Sequence, residues 1–106
     1  MSTRQSAARL LDPDSTAITD ATNLLKAMAN ENRLRILCLL DDTELSVSEL
    51  NKRLALSQSA LSQHLAILRR EGLVSTRRAS QTIYYSLHGH HARALVETLA
   101  GLFPGR

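Results

Sequence analysis

The chain has 106 residues, a formal charge of +3 and 43% hydrophobic residues, which fits one small globular domain with a modest core. Aromatic residues make up only 3%, which excludes the stacking platforms of single-strand binders. The longest aliphatic run, residues 36–40, is far short of the ~20 residues that span a bilayer, and no apolar stretch of secretory type opens the chain, so a cytoplasmic protein without membrane contact is expected.

Residues 1–15 are polar and are expected to form a flexible tail, with Asp12-Pro13-Asp14-Ser15 as a helix-initiating turn. From residue 16 to 29, Ile18, Ala21, Leu25 and Met28 recur at three- and four-residue spacing, which predicts a first helix. Asn30 offers an N-cap for a second helix over 31–40, with Glu31 in its first turn and Asp41-Asp42-Thr43 at its end. Ser46-Val47-Ser48-Glu49 reads as a capping box that opens a short third helix carrying Val47, Leu50 and Leu54. Ser57 then caps a fourth helix that runs to about Glu71, and Gly72 suits the position just past its end. Two short helices joined this tightly have the pattern of a helix-turn-helix.

Residues 73–78 and 82–87 follow, and the second segment alternates Ile83, Tyr85 and Leu87 with Thr82, Tyr84 and Ser86, which predicts a two-stranded hairpin, or wing. The connecting residues contain no glycine, so a loop longer than a two-residue primed turn is expected. Ala92, Leu95, Val96, Leu99, Leu102 and Phe103 mark an amphipathic last helix that Pro104-Gly105 stops. The expected fold is therefore mainly α with a small β-hairpin, a winged helix-turn-helix filling residues 16–106.

Charge and helix faces point to duplex DNA. Between Lys52 and Thr82 six basic side chains stand against one acid, Glu71, although the chain as a whole is near neutral. In the fourth helix Leu61, Leu65 and Leu68 share one side, while Ser57, Gln58, Ser59, Ser62 and Gln63 gather near its start on the other. Early residues of the second helix in this motif reach base edges in the major groove, where glutamine pairs with adenine and serine with several bases. His64 flanks Leu61 and has two readings, phosphate contact or partial burial. Arg69, and Arg77, Arg78 and Gln81 at the hairpin, are the candidate contacts of the wing and its flank. No nucleophile–base pairing or cofactor motif stands out, so no enzymatic activity and no cofactor are expected. An acidic or apolar replacement of the reading face, which a winged-helix protein-interaction module would need, is not found.

The motif Leu25-Lys26-Ala27-Met28-Ala29-Asn30-Glu31-Asn32-Arg33-Leu34-Arg35-Ile36-Leu37 resembles the opening of the ArsR/SmtB family of bacterial repressors. Residues 56–65 resemble that family's recognition helix, and Gly72-Leu73-Val74 with Ile83-Tyr84-Tyr85-Ser86-Leu87 resemble its wing. The resemblance implies a homodimer through the first and last helices, bound to an imperfect palindrome in double-stranded DNA and usually repressing. An anti-repressor role, displacing another DNA-binding protein, is the alternative mode.

The family's sensing chemistry does not carry over. Where its thiolate metal motif would lie, this chain has Glu44-Leu45-Ser46-Val47-Ser48-Glu49-Leu50, with serines in place of both cysteines. The family's last-helix zinc pattern falls on Gly89, His91, Leu102 and Gly105, which keeps one ligand of four, and His88, His90 and His91 read as a solvated cluster. No metal site is expected. The closest similarity is to the redox- and persulfide-responsive branch, whose members usually carry two cysteines; Cys38 matches the first and no thiol matches the second. Within its aliphatic run Cys38 is expected to pack as a small hydrophobe. The competing reading is a redox-responsive thiol.

Overall fold

A computed structural model describes residues 3–105. Its elements are helix α1 (Thr3–Ala8), a 3-10 turn (Arg9–Leu11), α2 (Ala17–Met28), α3 (Glu31–Leu39), β1 (Leu45–Ser46), α4 (Val47–Arg53), α5 (Gln58–Arg70), β2 (Val74–Ala79), β3 (Thr82–Leu87) and α6 (His91–Leu102). The caps anticipated from sequence set the helix boundaries. Asn30 Oδ1 accepts from the backbone N–H groups of Asn32 and Arg33 at 2.9 and 3.1 Å, which starts α3. Ser46 Oγ accepts from Glu49 N at 3.1 Å and Glu49 Oε1 accepts from Ser46 N at 2.9 Å, so the capping box of α4 is reciprocal. Ser57 Oγ accepts from Ala60 N at 3.1 Å and opens α5.

Helix α5 stops in a Schellman motif. Gly72 takes φ +73°, Leu73 N donates to Leu68 O at 2.9 Å and Gly72 N donates to Arg69 O at 3.0 Å. Leu68 and Leu73, the two residues this motif brings together, are both fully buried. They belong to a leucine-rich core with Ile36, Leu37 and Leu40 of the α3 region, Leu50 of α4, and Leu61 and Leu65 of α5. This core holds α4 and α5 against α3, which fixes the helix-turn-helix in place.

Three features differ from the sequence expectations. The wing is a three-stranded antiparallel sheet in the order β1-β3-β2, because Leu45 and Ser46 pair with Tyr85 and Tyr84. The hairpin register pairs Ala79 with Thr82, so the loop is only Ser80-Gln81; Ser80 supplies the positive φ, 56°, that a glycine would otherwise provide. Residues expected to form a plain tail include α1 and the 3-10 turn, and the described side chains from Ser6 to Leu11 are exposed.

The apolar stripe of α2 also divides in two. Ala27 and Met28 are buried with Leu24 packed beside them, whereas Ile18 and Leu25 are 47% and 58% exposed. In the C-terminal segment Ala92 and Val96 enter the core, while Leu102 and Phe103 are 65% and 75% exposed. The first and last helices of the winged domain thus each present large uncovered apolar side chains.

Candidate nucleic-acid interface

Helix α5 separates its side chains by chemistry. Leu61, Leu65 and Leu68 are buried, while Ser57, Gln58, Ser59, Ser62 and Gln63 are exposed around the helix start. The first-turn amides, of which Ala60 N is taken by the Ser57 cap, and the positive end of the helix dipole lie at the same end of the helix as these donors and acceptors. Ser57 is engaged as the cap and lies 3.4 Å, Oγ to Oγ, from Ser59. Ser62 and Arg69 line one crevice with Val47 of α4 and Tyr85 of β3, so the exposed flank of α5 continues into the sheet. Arg69 and Arg70 in the last turn are exposed, as are Lys52 and Arg53 at the end of α4.

His64 is half-buried, and its Nδ1 lies 3.5 Å from Arg33 Nη1. Burial, and then the neighbouring Arg33 charge, lowers the imidazole pKa below its ordinary value. The ring is thus partly buried and keeps an exposed part.

The wing arginines part company. Arg77 Nε donates to Glu44 Oε2 at 3.2 Å, its Nη2 donates to Glu44 Oε1, and its guanidinium lies 4.8 Å from the Tyr84 ring centroid. The hydrogen bond from Arg77 holds the Glu44 carboxyl below the usual carboxylate range, and the same pairing raises the Arg77 pKa. Arg78 and Gln81 are exposed, and Arg78 has no ion pair among the described residues. Sequence reasoning missed Glu44 as the counter-charge, since it precedes Arg77 by 33 positions and no local pattern joins them.

Cys38 requires a correction: its side chain is exposed and not packed in the core. Ile36, Leu37 and Leu40 take the buried face of α3, which turns Cys38 outward. The thiol lines a cleft with Glu31, Leu34, Arg35, Arg53 and Leu54, and a second one with Val96, Leu99 and Phe103. His88, His90 and His91 are exposed, and among the described residues no group of three or more His, Cys, Asp or Glu side chains is placed to hold a metal ion. No helix among them is long and apolar enough to cross a membrane.

Comparison with known proteins places this geometry. Residues 30–76 match the model of the bacterial regulatory protein, arsR family. The chain is 61% identical over 83 residues to the transcriptional activator HlyU of Vibrio cholerae, covering 78% of this chain and 77% of that protein. It superposes on the reduced form of HlyU from V. cholerae N16961 with a TM-score of 0.76 at 60% identity, covering 80% and 90% of the two chains. The transcriptional repressor BigR from Xylella fastidiosa matches with a TM-score of 0.83 at 33% identity, over 99% of this chain and 100% of that one. These relatives are a transcriptional activator and a transcriptional repressor.

Proposed function

The chain belongs to the ArsR family of bacterial regulatory proteins, and from that premise we propose that it is a homodimeric, sequence-specific reader of double-stranded DNA that acts as a repressor. The observation that carries the reading is the two-sided α5: three leucines sealed in the core and a run of uncharged hydrogen-bonding side chains free at the helix start. Gln58, Ser59, Ser62 and Gln63 read base edges, Ser57 presents the helix N-terminus to a phosphate, and Arg69, Arg78 and Gln81 hold the backbone on either side. The partner is a second copy of the chain, joined through α2 and α6. Burial of Ile18, Leu25, Leu102 and Phe103 there removes apolar surface that a monomer leaves in water.

A two-fold dimer sets its two reading helices in successive major grooves, about 34 Å apart, so the operator is an imperfect palindrome. Occupying it blocks polymerase access. The activator among the relatives keeps open the second mode, displacement of another DNA-binding protein from the same site. Selecting bound duplexes from genomic fragments tests the reading. A shared palindromic sequence is expected, and fragments with no common sequence would overturn it.

The exposure of Cys38 supports a second, compatible reading, in which oxidation of its thiol modulates DNA binding. Peroxide should then release DNA from the wild-type protein and not from Cys38→Ser. Equal release from both proteins removes Cys38 as the sensor.

A further inference from the structure

We propose that Arg33 is a positioning residue for DNA reading, tying His64 of the recognition helix to the last carbonyls of α2 and so fixing the angle between the reading helix and the dimer contact. The inference rests on α5 being the reading helix and α2 part of the dimer face. At the end of α2, Ala29 N donates to Leu25 O and Asn30 N donates to Met28 O, which leaves the carbonyls of Lys26 and Ala27 without these partners. Arg33 takes both: Nε donates to Ala27 O at 2.5 Å and Nη2 to Lys26 O at 3.2 Å. Its remaining nitrogen, Nη1, faces His64 Nδ1 at 3.5 Å.

One planar guanidinium therefore spans three helices, with its own backbone held by the Asn30 cap. Because arginine only donates, a hydrogen bond across this contact makes His64 Nδ1 the acceptor, on a neutral ring with its proton on Nε2. The depressed imidazole pKa agrees with that state. Arg33 is the charge that faces the ring, while Lys26 of α2 and Arg70 and Glu71 at the end of α5 line the crevice beside Arg33. His64 is adjacent to Gln63, so a tilt of the ring's anchor moves the side chain proposed to read a base.

The test measures affinity for a duplex recovered by the genomic selection and for random duplex, between pH 5 and 8, by fluorescence anisotropy. Wild type, Arg33→Gln, Arg33→Lys, His64→Gln and the Arg33→Gln/His64→Gln double variant are compared, with thermal unfolding and sedimentation alongside. Arg33→Gln and His64→Gln should each lose about tenfold on the selected site, or 1.4 kcal/mol, and much less on random DNA. The double variant should lose no more than the worse single one, and Arg33→Lys should not rescue, since an ammonium cannot span the three acceptors. Acid should weaken wild-type binding to the selected site as His64 gains a proton beside Arg33, whereas His64→Gln should stay flat. Additive losses, or equal losses on both duplexes, would overturn the positioning role. Binding that strengthens in acid and depends on His64 would also do so, making the ring a phosphate contact. If wild type itself shows no preference between the duplexes, it is the DNA-reading assignment that fails.

Discussion

The wing offers a quantitative test, because its two neighbouring arginines occupy opposite electrostatic situations. Both are exposed, but Arg77 is paired with Glu44 and lies over Tyr84, while Arg78 has no ion pair among the described residues. A phosphate contact releases counterions, and each one steepens the dependence of log K on log salt by about 0.9. A dimer has two wings, so Arg78→Ala should flatten the slope by about 1.8. Between 50 and 200 mM salt, that change is worth about tenfold in affinity. Removing the Arg77–Glu44 pair as a unit, with Arg77→Ala and Glu44→Gln together, removes no net charge and should leave the slope near its wild-type value. Glu44→Gln alone frees the Arg77 guanidinium and should steepen it. Because the Arg77 hydrogen bond holds Glu44 ionised, none of these differences should depend on pH near neutrality. Anisotropy titrations on random duplex at four salt concentrations provide the slopes. The reasoning fails if removing the pair flattens the slope as much as Arg78→Ala does, for Arg77 would then be leaving Glu44 to meet phosphate.

Other consequences are open to measurement. Gln63→Ala should weaken binding to the selected site more than to random DNA; equal losses would make Gln63 a backbone contact. Ser46→Ala removes the cap of α4 and should cost about 1 kcal/mol, lowering Tm by roughly 4–8 °C in thermal unfolding, and an unchanged Tm would mean that the box contributes nothing. Hydrogen bonds from the Ser46 backbone N–H and then from its side chain lower the Glu49 pKa, so its contribution is full above the ordinary carboxylate range and fades as pH falls through the folded value. Acid unfolding of Glu49→Gln should lack that component, and a curve parallel to wild type would refute it. Leu25→Glu places a charge on the exposed apolar face of α2 and should yield monomers in sedimentation with DNA binding lost; a persistent dimer would move the interface elsewhere.

Most of this architecture is legible in the sequence where local chemistry decides the outcome. Asn30, Ser46 and Ser57 cap the helices that their positions suggest, and Gly72 ends α5, because these side chains or backbone freedoms satisfy helix ends without distant help. The two faces of α5 follow from the spacing of its leucines. Long-range features leave no such trace. Strand β1 is two residues long and exists only through its pairing with β3, and Glu44 meets Arg77 across the sheet. Ser80 adopts the positive φ of the wing turn under the constraint of both strands, against its own preference. Cys38 misled for a different reason. An unbroken apolar run carries no periodicity to show which residue faces out, and only the packing of Ile36, Leu37 and Leu40 resolves it.

Footprinting on the promoter region of the chain's own gene addresses DNA reading most directly. Two protected half-sites about one helical turn apart, related by a palindrome and lost in Gln63→Ala at unchanged protein concentration, are expected if α5 reads bases as a symmetric pair. Uniform protection without sequence boundaries, or a single unpaired half-site, would contradict it.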